Sequence, residues 1–115
     1  MDELRQITRK RKEAYTWFMA HKSKSYKAIA DMEADVYPDG AMTRKNKELM
    51  ATAIAVVINC QSCMQWHIEE ASKAGATVEE LIEAIDVAIE FAAGPATVAA
   101  RFAMDVIKDV YGEDA

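Results

Sequence analysis

The stretch "ELMATAIAVVINCQSCMQWHIEEA", Glu48–Ala71, decides the fold. In its first half Leu49, Met50, Ala53, Ile54, Val57 and Ile58 recur at helical spacing, which predicts one apolar helix face. Its second half opens with both cysteines of the chain, Cys60 and Cys63, and reaches one of its two histidines, His67. Between the halves stands Asn59, a residue that tolerates the left-handed conformation in which many helices end. Two geometries follow. One unbroken helix would place Glu48 about 18 Å from Cys60. A reversal at Asn59 would fold the halves into an antiparallel hairpin and bring Glu48 level with His67 to Glu70.

Working outward, Thr43 is placed to cap the helix that enters this stretch, and "YPDG" at Tyr37–Gly40 marks a turn before it. A helix carrying Tyr26, Ile29 and Ala30 is expected after "KSKS", and a first helix carries Leu4, Ile7, Ala14, Tyr15 and Phe18 as its stripe. Downstream, the cysteine-bearing helix runs from about Cys60 to Lys73 and stops near Gly75. "TVEE" at Thr77–Glu80 is a capping box, opening a helix with Val78, Leu81, Ile82, Ile85, Ala88 and Ile89 on one face. "AGP" at Ala93–Pro95 breaks it, and a last helix is expected from about Ala96 to Tyr111. Its small-residue start, "ATVAA", allows close helix approach within or between subunits. The expectation is an all-α protein of five or six helices, with CxxC at the N-terminus of a central one. It reads as one domain overall, residues 1–36 as N-terminal helices and 37–115 as the core.

At 115 residues, half of them hydrophobic, the chain suits a single soluble globular domain that gains burial by oligomerising. No run approaches the roughly 18 apolar residues of a membrane span. The start, "MDELRQITRKRKEAY", has no apolar signal region, so a cytoplasmic location is expected. The net charge of −5 is unevenly spread: residues 1–27 hold eight Lys/Arg against three acids, and the remainder six against sixteen. The basic segment could meet nucleic acid or an anionic membrane. With no aromatic platform or groove-reading motif beside it, it reads instead as a basic helix laid on an acidic body or an acidic neighbouring subunit.

Chemistry concentrates at Cys60, Cys63 and His67, spaced i, i+3, i+7 on one helix face. Thiols in a first helical turn meet free N–H groups and the positive end of the dipole, which favour the nucleophilic thiolate. The spacing lets the sulfurs bridge, and His67 can move a proton during exchange. Three readings stand: a redox pair, part of a metal site, and a packed helix with polarizable residues. Zinc would need a fourth ligand that no second CxxC or HxxxH supplies. Glu48 either orients His67 across the hairpin or is a solvated carboxylate among Arg44, Lys45 and Lys47. Met64 and Trp66 read as packing residues that could also shape a pocket. No phosphate loop or dinucleotide fingerprint points to an organic cofactor.

The pattern Glu48, eleven residues, Cys60-Gln61-Ser62-Cys63, three residues, His67 resembles the signature of the AhpD-like superfamily. That superfamily joins the AhpD-type alkylhydroperoxidases with the carboxymuconolactone decarboxylases. The resemblance spans about Tyr37 to Ala103. It implies an all-α fold, trimers or hexamers, and disulfide or peroxide reduction with an external dithiol reductant. It also implies that Cys63 attacks, Cys60 resolves, and His67 with Glu48 relays protons. The helix dipole alone would favour Cys60 as the attacking thiol. The peroxidases commonly carry a histidine where this chain has Ser62, which weighs towards dithiol exchange. The decarboxylase branch works without the cysteine pair, so lactone decarboxylation is an alternative that CxxC argues against. A non-enzymatic oligomeric scaffold that senses redox state or binds metal is another.

Overall fold

The computed structural model describes residues 2–115, and among these there are six α-helices and no strand. They are α1 (Asp2–Ala20), α2 (Lys24–Val36), α3 (Arg44–Val57), α4 (Gln61–Lys73), α5 (Val78–Ala92) and α6 (Gly94–Tyr111). None of them is long and apolar enough to cross a membrane.

Local chemistry sets the boundaries. Thr43 caps α3 by accepting from the Asn46 amide, and Thr77 with Glu80 closes the expected capping box on α5. Gly75, at φ +92°, ends α4, where the Ala76 amide donates to Ala71 and the Gly75 amide to Ser72. The same closure ends α3, with Asn59 at φ +55°: the Asn59 amide donates to Val56 and the Cys60 amide to Ala55. The chain therefore reverses at Asn59, and α3 and α4 form the antiparallel hairpin. Lys22, at φ +60°, repeats the device between α1 and α2, whose cap is Ser23. One boundary differs from expectation. Helix α6 begins at Gly94, not Ala96, because proline is tolerated in a first turn, where its missing amide had no partner to lose.

Two ties fix how the hairpins stack. Lys45 of α3 pairs with Glu80 of α5 at 2.9 Å, joining their N-terminal ends, and Tyr111 of α6 donates to the Ala76 carbonyl in the α4–α5 turn at 2.5 Å. The N-termini of α4 and α6 and the C-termini of α3 and α5 consequently share the opposite pole. Val56, Met64, Ile68, Leu81, Ala103 and Val106 fill the core between the four helices. The alanines at the start of α6, Ala96 and Ala99, are buried inside this subunit.

The apolar stripe of α3 divides. Leu49 and Ala53 pack against the core, Met50, Ile54, Val57 and Ile58 are exposed, and the fully buried side is Glu48, Thr52, Ala55 and Val56. Apolar periodicity identifies a stripe but not what covers it, and the buried polar side chains have partners elsewhere: Thr52 Oγ1 donates to the backbone carbonyl of Glu48 at 2.9 Å, and the Glu48 carboxylate reaches across to α4. Outside the four-helix core, α1 anchors through Leu4, whose carbonyl accepts from Gln65 Nε2 of α4 at 3.0 Å. Arg11 of this basic helix pairs with Glu69 at 3.8 Å and lies over the Trp66 ring at 4.9 Å. Helix α2 buries no residue in this chain.

Candidate active site

Cys60 occupies a position specified from both sides. Its amide closes α3, and its sulfur caps α4, accepting from the Cys63 amide at 3.2 Å. A sulfur placed there meets a free helix N–H, which stabilises negative charge on it. Cys63 lies one turn on, at a Cα–Cα distance of 5.2 Å, and the two are joined as a disulfide. Both residues are partly exposed.

His67 follows Cys63 by one helical turn, and the hairpin brings Glu48 across to it. Glu48 Oε1 lies 2.7 Å from His67 Nδ1, with the carboxylate side chain 3 % exposed and the imidazole 14 %. A carboxylate accepts, so Nδ1 donates and carries the hydrogen, leaving Nε2 able to exchange a proton. Glu48 is thus a buried partner of the imidazole and not a solvated member of the Arg44–Lys47 cluster. Arg44 turns away to Glu70, at 2.5 Å, and Lys73 holds the other oxygen of Glu70 at 2.9 Å. Neither sulfur is hydrogen-bonded to His67 in this disulfide form.

A cleft of about 560 Å³ lies between α2, the turn after it, α3 and α4, lined by Glu33, Tyr37, Arg44, Trp66 and Glu70 among others; of the four predicted site residues Glu48 lines it, and Cys60, Cys63 and His67 do not. Met64 is core, as expected, whereas Trp66 walls this cleft. A larger open groove of about 910 Å³ follows α1 over Gln65 and Glu69, and none of the four predicted site residues lines it. Among the described residues no three His, Cys, Asp or Glu side chains are grouped to hold a metal ion. Tyr37 is the cleft residue that sequence reading missed. It registered only as part of a turn, and its contact with His67 spans thirty positions, beyond any local pattern.

A profile of the carboxymuconolactone decarboxylase family matches residues 23–105, and the chain belongs to that family, with an AhpD-like helical fold. The match takes in α2, upstream of the stretch that carries the sequence resemblance. Among relatives, a Paracoccus denitrificans protein named uncharacterized protein 4 in the cox locus is 40% identical over 77 residues, covering 67% of this chain and 69% of that one. An uncharacterized protein of Cupriavidus necator is 36% identical over 66 residues, and the match covers 57% of this chain and 58% of that one. Among solved structures, a carboxymuconolactone decarboxylase family protein of Legionella pneumophila in its apo form superposes with a TM-score of 0.89 at 27% identity, covering 96% of this chain and 98% of that one. A family member from Thermotoga maritima gives 0.83 at 24% identity, over 92% of this chain and 90% of that one, a likeness of fold.

Proposed function

We propose that the protein is a thiol–disulfide oxidoreductase of AhpD-like type. The observation that carries this reading is a bridged Cys60–Cys63 pair one helical turn from an imidazole held by a buried carboxylate at 2.7 Å. In the reduced protein the Cys63 thiolate attacks one sulfur of a substrate disulfide. The departing thiolate takes a proton that His67 supplies through a solvent or substrate atom, and Glu48 stabilises the imidazole as its charge changes. The Cys60 thiolate then attacks the Cys63 sulfur and expels the second substrate thiolate. Two electrons have passed to the substrate, and the Cys60–Cys63 disulfide is left. A hydroperoxide can enter the same cycle: attack by Cys63 releases an alcohol and leaves a sulfenic acid, which Cys60 closes with loss of water.

The helix cap supports Cys60 as the resolving thiol. When an external dithiol resets the site, attack at Cys63 expels Cys60 as a thiolate on the Cys63 amide, and a stabilised thiolate leaves faster. The pull of the helix dipole on Cys60 therefore acts on the leaving group and not on the attacker. A cycle that needs its thiols reduced suits the cytoplasm.

Mass spectrometry across a glutathione redox series tests the reading on wild type, Cys60→Ser and Cys63→Ser. Wild type is expected to show a reversible two-electron transition, and Cys60→Ser to trap a mixed disulfide at Cys63. Trapping on Cys60 in the Cys63→Ser protein alone would exchange the two roles. Two thiols inert to glutathione disulfide would end the oxidoreductase reading.

A further inference from the structure

The turn between α2 and α3 is held by α3 itself. Lys47 Nζ donates to the carbonyls of Val36 at 2.9 Å and Pro38 at 2.8 Å, and the Arg44 amide donates to Asp39 Oδ1 at 2.6 Å. These three bonds bracket Tyr37 on both sides. Its ring centroid lies 5.3 Å from that of His67, the planes tilted by 34°. Glu48, which binds the same imidazole, is the next residue after Lys47. One turn of helix thus places both the carboxylate at the edge of the ring and the aromatic over it.

We propose that Tyr37 is a positioning residue for the Glu48–His67 pair, packing its ring against the imidazole between that ring and the cleft and keeping water from the Nδ1–Oε1 hydrogen bond. The inference rests on the proton-relay reading of that pair. A hydrogen bond in a dry, weakly polarizable site is electrostatically stronger than one in water, so a cover over it acts on the basicity and orientation of the imidazole. The phenol does not bring a charge of its own at neutral pH. Burial first, then the charges of Glu48 and Glu33, push its ionisation above the ordinary tyrosine range. The titratable and charged groups around the ring are Glu33 from α2, Asp39 from the turn, Arg44, Lys47 and Glu48 from α3, and His67 and Glu70 from α4. The ring and not the hydroxyl should matter, since no hydrogen bond of the hydroxyl is present among the described residues.

The test compares Tyr37→Phe, Tyr37→Leu and Tyr37→Ala with Glu48→Gln in the full chain, on ¹⁵N-histidine-labelled protein. Two readouts are taken: the Nδ1 proton resonance of His67, and the pH profile of exchange with glutathione disulfide. Tyr37→Phe should keep both at wild-type values. The Leu and Ala variants should broaden the Nδ1 resonance, move the midpoint of the profile by about half a pH unit, and slow exchange about tenfold. If Tyr37→Ala does not fold, Tyr37→Leu carries the same expectation. A protected resonance and an unmoved profile in the ring-free variants, with Glu48→Gln altering both, would overturn the role of Tyr37 and leave the relay standing. No change in Glu48→Gln either would remove the relay, and the inference with it.

Discussion

Glu69 sits where α1 docks on α4, and its environment pulls in two directions. Burial is the largest influence and raises its ionisation above the ordinary 4.5. Arg11 and Lys73 oppose that shift, and Asp109 and Glu70 add to it. A carboxyl whose folded-state value is raised favours folding in its protonated form. Its contribution is complete below the unfolded value and is lost as pH rises through the folded one. The Arg11 contact, at 3.8 Å, is too long to reverse this. Glu69→Gln should therefore be more stable than wild type at pH 7, with the gap in Tm closing towards pH 4; a gap constant across that range would contradict the argument. At the same scale, the Glu48–His67 pair was legible in the sequence because one assumption, a reversal at Asn59, fixed the height at which Glu48 meets α4. Tyr37 was not legible, because a turn's sequence shows that the chain bends but not which side chain it delivers to a distant ring.

Three junctions between helices rest on residues other than glycine in glycine-favouring conformations: Lys22, Asn59 and Ala93. Lys22 and Asn59 lie in the left-handed region that closes a helix. That region costs roughly 1–2 kcal/mol for a side chain with a Cβ, and less for Asn, whose short polar chain bonds locally. Ala93, at φ +58° and ψ −137°, is held in a conformation that is essentially glycine's alone, at a cost on the order of 1–3 kcal/mol. Glycine would relieve each strain while losing about 0.5–1 kcal/mol through its freer unfolded chain. Ala93→Gly should consequently gain about 1 kcal/mol in urea unfolding, Lys22→Gly about half as much, and Asn59→Gly close to nothing. A different order would mean that neighbouring contacts, and not backbone strain, set these junctions. The capping threonines and Asn59 carried recognisable chemistry, so those ends were legible from sequence. The start of α6 was placed two residues late because Pro95 is compatible with either side of a helix boundary.

On the scale of the whole molecule, large apolar side chains are exposed on every helix but α4, and the most exposed of them gather at one end. The five most exposed large hydrophobic residues are Ile54, Ile58, Val87, Phe91 and Val98, at 56–79 %. They lie on the last turns of α3 and α5 and the first turns of α6, so they share a pole with the cysteine pair. Exposed apolar side chains gathered at one pole make it a candidate interaction surface. The same pole carries exposed charges of both signs, Asp86 and Glu90 on α5 and Arg101 on α6, none in an ion pair among the described residues. A patch that holds apolar area and both signs can complement itself, as a two-fold interface requires. The oligomer expected from the sequence resemblance can be tested at this pole. Charge placed among these side chains should disfavour the association, because burying an unpaired carboxylate costs more than the apolar contact returns. Phe91→Asp with Ile58→Asp is expected to convert an oligomer into monomers in sedimentation velocity at micromolar concentration. The far-ultraviolet dichroism should stay intact, because neither side chain belongs to the core. A wild-type monomer at those concentrations, or an oligomer indifferent to both substitutions, would move the self-association surface away from the cysteines. Helices α1 and α2 would then be the place to look, since no residue of α2 is fully buried in its own chain and Ile29, Met32 and Val36 are exposed on it.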